Sequence, residues 1–129
     1  MLNDPIANVM SSVMTYEGSG KRELLIHPIS KLMRKVLSIL QEHKYVGDLE
    51  DVSEGRGGFA KLHLLGNINK CGVIKPRFSV KTMGFEKFEK RYLPANGVGI
   101  LILSTPQGIM THVQAREKGL GGRLIAYCY

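Results

Sequence analysis

The segment from Gly97 to Tyr129 constrains the fold more than any other part of the chain. Its continuous apolar run predicts a buried strand over Gly97–Leu103. The hydroxyl pair Ser104 and Thr105 follows at once, and Pro106-Gln107-Gly108 is typical of a tight turn. The sequence therefore predicts a rigid strand that presents two adjacent hydroxyls at its end.

A short helix and a closing strand are predicted beyond this turn. Thr111 is a favourable N-cap, and Gln114 three residues later completes a capping box. Gly119 has the position of the glycine that follows a helix. Gly121-Gly122 are expected to allow a sharp reversal of the chain. The alternating segment Arg123–Tyr129 then predicts the last strand of a sheet.

The first half of the chain predicts an α-β-α-β-β order of elements. Apolar residues of helical spacing follow Asp4 and Pro5, which together are typical of a helix start. A second such stripe follows Pro28 and Ser30. The strands predicted in this half are Glu23–Ile26, Tyr45–Val52 and Phe59–Leu65, the last two joined by a glycine-rich turn over Ser53–Gly58.

The middle of the chain separates two predicted subdomains. Gly66–Pro76 is rich in turn-forming and basic residues and is predicted to be a loop. Phe78–Lys81 predicts a strand, and Phe85–Tyr92 has the spacing of a helix. We therefore expect an α+β fold of two small subdomains. These are an N-terminal α-β-α-β-β unit over residues 1–66 and a C-terminal β-rich unit with a short helix over residues 67–129.

The net charge of +7 is concentrated in the middle of the chain. Residues 55–93 contain nine basic and two acidic residues, and no acidic residue lies between Gly55 and Phe85. Residues 1–54 have a net charge of −2 instead. A basic stripe of this kind is typical of a protein that binds a nucleic-acid backbone, although modest basicity also serves solubility alone.

Patterns for catalysis or for a metal site are weak in this sequence. Ser104 lacks the G-x-S-x-G elbow of serine hydrolases, and its nearest histidine, His112, has only Glu117 nearby as an orienting acid. The glycine clusters are not followed by the Lys-Ser or Lys-Thr of a P-loop. Cys71 and Cys128 have no CxxC partner, so we expect reduced structural thiols. We expect no enzyme, no metal and no cofactor.

Membrane insertion is not predicted either. No apolar run approaches the ~20 residues of a membrane helix. No signal peptide is visible at the N-terminus, so we expect a cytoplasmic protein without a membrane partner.

Two local surfaces leave a binding and a structural interpretation open. The outer face of the first helix carries small neutral residues, including Asn8, where a solvated helix usually carries charges. Such a face suits close approach to an RNA backbone or to a packed neighbour equally well. The turn that begins at Ser104 has the same ambiguity, because its hydroxyls and amides suit RNA contacts and also make a good turn.

The order of motifs along the chain resembles one known family. In the last third, the residues that carry the resemblance are Gly97, Gly99, Ser104, Thr105, Gly108, Met110, Thr111, Ala115, Arg116, Gly119, Gly121 and Gly122. Near the N-terminus they are Asp4-Pro5-Ile6-Ala7-Asn8, and Pro28 followed by Ser30-Lys31-Leu32. The set resembles the universal small-subunit ribosomal protein S-eight family. Asn69–Phe78 and Phe85–Pro94 look like its archaeal and eukaryotic branch.

The resemblance implies a structural component of the small ribosomal subunit. Such a protein binds the central domain of small-subunit ribosomal RNA directly, supports subunit assembly and contacts neighbouring small-subunit ribosomal proteins, with no small-molecule substrate. The RNA contacts implied are Ser104, Thr105, Pro106, Gln107, Gly108 and Met110 at the turn, Gly121 and Gly122 beside it, and Asn3, Asp4, Pro5, Asn8, Ser30 and Lys31 in the N-terminal part. Two alternatives stay open: an RNA-binding regulator that acts on messenger RNA, and a hydrolase that uses Ser104.

Overall fold

The fold consists of two compact units, Met1–Lys70 and Cys71–Tyr129. A computed structural model describes residues 5–26, 30–51, 60–75, 77–95 and 97–129. Each unit combines helices with an antiparallel sheet, so the predicted α+β class is confirmed. The units are called the N-terminal unit and the C-terminal unit below.

The N-terminal unit has the predicted α-β-α-β-β order. Its elements are α1 (Pro5–Gly18), β1 (Glu23–Ile26), α2 (Lys31–Glu42), β2 (Val46–Asp51) and β3 (Ala60–Leu64). The strands pair antiparallel in the order β1-β3-β2, with Leu24 opposite Leu62 and Leu62 opposite Leu49. The strand β3 lies at the centre of the sheet, so both of its edges are hydrogen-bonded. Its residues alternate in burial because one face of the strand meets the core.

Local signals in the sequence set the helix boundaries of this unit. Ser30 caps α2, since its hydroxyl accepts a hydrogen bond from the N–H of Met33 at 3.1 Å. The apolar stripes predicted for α1 and α2 form the core of the unit. Their buried members include Ile6, Val9, Met10, Val13, Met33, Val36, Leu37 and Leu40. Asn3, Asp4 and Pro28, and the turn predicted over Ser53–Gly58, lie outside the described residues.

The C-terminal unit is built on one larger antiparallel sheet. Its elements are β4 (Cys71–Val73), β5 (Ser79–Val80), α3 (Phe85–Tyr92), β6 (Ile100–Thr105), β7 (Gly108–Thr111), α4 (His112–Glu117) and β8 (Gly122–Cys128). In the described part of the chain the sheet order is β4-β8-β6-β7, and β5 also pairs with β8. The strand β8 is therefore the hydrogen-bonding partner of β4, β5 and β6.

Three features of this unit differ from the sequence-based expectation. The predicted loop Gly66–Pro76 contains the short strand β4, and the residues after the Pro106-Gln107 turn form β7 before α4 begins. The strand β6 also continues through Ser104 and Thr105. The segments β4 and β7 form strands because they pair with β8 and β6. Gly72, for example, lies opposite Tyr127, and a Cβ at Gly72 would lie only 3.1 Å from the Tyr127 hydroxyl oxygen.

The helix ends of the C-terminal unit follow the predicted signals. The capping box of α4 is present, because the Thr111 hydroxyl accepts from the N–H of Gln114 and the Gln114 side chain accepts from the N–H of Thr111, both at 3.2 Å. Gly119 follows α4 with φ +68°, a left-handed conformation that glycine adopts without strain. The predicted helix Phe85–Tyr92 is confirmed with the same bounds.

Candidate nucleic-acid interface

The turn between β6 and β7 is a tight hairpin with a two-residue connection. Ser104 pairs with Ile109 and Thr105 pairs with Gly108, which leaves Pro106 and Gln107 to make the turn. Pro106, Gln107 and Gly108 are all exposed. Gly108 has φ +115°, which side chains disfavour, so a glycine is required at this position.

The two adjacent hydroxyl residues at the end of β6 differ in exposure. Ser104 is exposed, whereas Thr105 is only 8% exposed. The Thr105 hydroxyl donates to the carbonyl oxygen of Gly108 at 2.7 Å and accepts from the N–H of Gln107 at 3.2 Å. Neighbouring residues of a strand point to opposite faces, so one face cannot present both hydroxyls. The prediction that the turn exposes the Thr105 hydroxyl is therefore wrong: this hydroxyl holds the turn together.

A different pair of hydroxyls shares a face across three strands. Arg123 of β8 lies opposite Ser79 of β5 on one side and opposite Ser104 of β6 on the other. Directly opposed residues of antiparallel strands point to the same face, with Cβ atoms about 5 Å apart. All three side chains are exposed. The sheet thus presents a row of serine, arginine and serine, which we call the Ser79–Arg123–Ser104 row.

The row opens into a cleft of about 420 Å³, which we call the Arg123 cleft. Its size falls within the range of small-ligand sites. Among the described residues that line it, two are basic and none is acidic or aromatic. The lining residues are Ser79, Val80, Lys81, Ser104, Thr105, Pro106, Gly121, Gly122 and Arg123.

Gly121 and Gly122 form part of this lining because the strands come very close there. A Cβ at Gly121 would lie 2.5 Å from the carbonyl oxygen of Val80, and one at Gly122 would collide with the carbonyl oxygen of Ser104. Neither glycine has a positive φ, and Gly122 is already the first residue of β8. A left-handed conformation is therefore not the reason for glycine at either position. The pair is needed for close packing of β5, β6 and β8.

Met110 lies on the opposite face of the sheet from Ser104. It pairs with Leu103, and both side chains belong to the hydrophobic core of the C-terminal unit. With 6% exposure, Met110 is buried in that core, so its side chain is not available for the RNA contact that the resemblance implies. The signal that sequence reasoning missed is the cross-strand register, which adds Ser79, Lys81 and Arg123 to the surface around the turn.

Four of the N-terminal residues implied by the resemblance are described, and they lie on α1 or at the start of α2. Asn8 is exposed on α1 beside a shallow groove of about 110 Å³ between this helix and β1. Pro5 is the first residue of α1, and Asn3 and Asp4 lie outside the described residues. Ser30 is exposed although its hydroxyl caps α2, and the neighbouring Lys31 is exposed.

The hydrolase hypothesis loses its catalytic base in this structure. His112 is buried, and its Nδ1 accepts a hydrogen bond from the N–H of Leu101 at 3.1 Å. Its proton is therefore on Nε2, which lies 3.3 Å from the Oε1 atom of Glu89. The same Glu89 oxygen accepts from Arg116. The orienting acid is thus Glu89 rather than the Glu117 suggested by sequence, and both nitrogens of His112 are occupied in a structural cluster.

Other candidate chemistry is weak in the part of the chain that the structure describes. Within the described ranges, no group of three or more His, Cys, Asp or Glu residues could hold a metal ion. Cys71 and Cys128 are buried and lie opposite each other in the β4–β8 pair. Among the same residues, no helix has the length and hydropathy required to cross a bilayer.

Comparison with known families gives a match over nearly the whole chain. The family model described as ribosomal protein S8 matches residues 4–129, which is nearly the whole chain. Members of this family are structural ribosomal proteins that bind ribosomal RNA and other ribosomal proteins, and they are not known as enzymes. The chain belongs to the ribosomal protein S8 family and is a ribosomal protein that binds ribosomal RNA.

Proposed function

We propose that this protein binds the central domain of small-subunit ribosomal RNA directly and supports assembly of the subunit in the cytoplasm. The observation that carries this proposal is the Arg123 cleft beside the β6–β7 turn. Its described lining combines two cations and two exposed serines with no acidic group. A polyanion is attracted by such a lining, whereas an acidic or purely apolar cleft would repel it or leave its charge unpaired.

Selective contacts in this proposal come from the turn itself. Ser104 and Gln107 are exposed, and a hydroxyl and an amide both donate to and accept from base edges. Thr105 contributes indirectly, because its two hydrogen bonds fix the positions of Gln107 and Gly108. RNA stems expose readable edges at bulges and irregular pairs, so a narrow, rigid turn suits such a site.

Backbone contacts in the proposal come from the N-terminal unit. Asn8 belongs to an α1 face whose exposed residues before the last turn are small and uncharged, so a sugar-phosphate backbone can approach without meeting an acid. Lys31 is exposed in the first turn of α2, where the helix dipole also favours an anion. Pro5 and Ser30 stay in the proposed set as neighbours of these contacts, and so do Asn3 and Asp4 by resemblance.

Equilibrium binding tests the proposal. The full chain is titrated with a stem from the central domain of small-subunit ribosomal RNA and with a scrambled duplex of equal length, over a salt series. We expect tighter binding to the stem at every salt concentration, because base contacts persist when phosphate contacts are screened. Equal affinity for both RNAs would contradict the proposal.

The assembly role needs a separate measurement. Small subunits are reconstituted from ribosomal RNA and proteins with this chain present or omitted, and the products are separated by sedimentation. We expect particles that lack this protein to sediment more slowly and to lack further proteins. Complete particles without it would remove the assembly role while leaving RNA binding in place.

A further inference from the structure

We infer that Arg123, Ser79 and Lys81 form a subsite for one backbone phosphate of RNA. Ser104, on the other side of Arg123, stays available for the base edge. This assignment rests on the proposed function for the identity of the polyanion. It goes beyond that proposal because it gives a distinct chemical role to three residues outside the motif of the turn.

The register of the sheet places the donors of this subsite together. Ser79 and Arg123 are directly opposed across the β5–β8 pair, and Lys81, which follows β5, lines the same cleft. Ser104 is opposed to Arg123 across the β8–β6 pair. Since adjacent strands lie about 4.8 Å apart, Ser79 and Ser104 are roughly 10 Å apart across the row. That span suits a phosphate at one end and the base of a nucleotide at the other.

The cations of the subsite are free to bind a ligand. Neither Arg123 nor Lys81 forms an ion pair or a ring contact with any residue in the described ranges, and both are exposed. Four other basic residues are already engaged. Lys61 lies 3.6 Å from Glu23, Lys90 lies 3.4 Å from Glu86, Arg116 pairs with Glu89, and Arg91 lies over the rings of Phe78 and Tyr92.

The chemistry of the lining favours a phosphate over a stacked base at this end. A guanidinium offers a planar fork of N–H donors that matches a phosphate, and a serine hydroxyl adds a further donor. A splayed base requires an aromatic or planar surface on which to stack. The described lining of the Arg123 cleft contains no aromatic side chain.

The test compares Arg123→Ala with Lys118→Ala in the full-length protein. Lys118 is an exposed cation of the same unit, at the C-cap of α4 and outside the cleft lining, so it controls for loss of one positive charge. Affinity for the central-domain stem and for the scrambled duplex is measured over a salt series. Thermal unfolding is recorded for both variants to confirm that they fold.

We expect Arg123→Ala to lower the slope of log affinity against log salt by about 0.7–0.9, the value of one phosphate contact. At about 0.1 M salt this corresponds to a loss of about sixfold in affinity for both RNAs, because a phosphate contact carries no sequence information. Lys118→Ala should change neither quantity. Ser79→Ala should weaken both complexes without changing the slope, since a hydroxyl is neutral.

Three results would overturn the inference. The first is an unchanged salt slope in Arg123→Ala, whatever happens to affinity. The second is an equal change in Arg123→Ala and Lys118→Ala, which would mean that only total charge matters. The third is a loss confined to the central-domain stem, which would make Arg123 a base contact. The wild-type preference for the stem is read from the same data, so the proposed function stands or fails separately.

Discussion

Two arginines of the C-terminal unit show how the same side chain serves opposite purposes. Arg116 pairs with the buried carboxylate of Glu89, which also lies 3.3 Å from His112 Nε2. Arg123 lies in an open cleft without an ion-pair partner in the described ranges. Charge alone therefore does not identify a binding surface. The state of pairing and the position in the cleft together do, because the carboxylate beside a paired cation weakens its attraction for a phosphate.

Glu89, His112 and Arg116 are called the Glu89 cluster here. The comparison predicts that damage to this cluster lowers stability and leaves RNA binding intact. Glu89→Ala removes the acceptor of the buried His112 N–H, while the half-exposed Arg116 can turn to water. We expect a loss of about 2–3 kcal/mol in the free energy of unfolding, measured by urea denaturation. The salt slope of RNA binding should stay at its wild-type value. A changed slope would show that the cluster and the cleft are not separate.

A second substitution is expected to affect both stability and RNA binding, because it alters the lining of the Arg123 cleft. In Gly122→Ala the new methyl group meets the carbonyl oxygen of Ser104, so β6 and β8 must move apart. We expect a loss of about 2–3 kcal/mol in unfolding free energy and weaker binding to both RNAs. The matched control is Gly18→Ala at the end of α1, where a Cβ has open space. Wild-type stability in Gly122→Ala would show that the strands tolerate separation.

The cap signals explain why two of the four described helices, α2 and α4, could be predicted from sequence. Ser30, Thr111 and Gln114 act within their own turn, so a local pattern is enough. The strands β4 and β7 were not predicted, because three or four residues become a strand only through pairing with β8 or β6. The Glu89 cluster depends in the same way on contacts between α3, α4 and β6, which no local pattern contains.

Only part of the candidate site could be predicted, because some of its residues come together only through strand pairing. The turn was found because its residues are consecutive, and Ser104 is exposed as expected. The alternation of β6 hides the Thr105 hydroxyl, a consequence that followed only once the strand was known to continue past Leu103. Arg123 was missed because it meets Ser104 through strand register, and Lys81 because it reaches the cleft from the end of β5.

The two hydroxyls at the end of β6 offer a sharper test within the cleft. Thr105→Val keeps the shape of the side chain but removes both hydrogen bonds of the turn, so we expect a loss of about 1–2 kcal/mol in unfolding free energy. Ser104→Ala should leave stability unchanged. It should reduce the preference for the central-domain stem by about 1–3 kcal/mol, by analogy with base contacts in DNA. The reverse pattern in urea denaturation and RNA titration would exchange the roles assigned to these residues.

The smallest expected effect concerns an exposed ion pair outside the cleft. Glu86 and Lys90 lie one helical turn apart on α3, 3.4 Å from each other, and both side chains are more than 70% exposed. Glu86→Ala frees the Lys90 ammonium without adding a positive residue, and it should cost at most about 0.5 kcal/mol of stability. If only unpaired cations that line the cleft contribute to RNA binding, the salt slope stays constant, because Lys90 lies outside that lining. The salt slope could instead rise by about as much as Arg123→Ala is expected to lower it. That result would mean that an unpaired cation outside the cleft also binds phosphate, and that the phosphate contacts extend along α3.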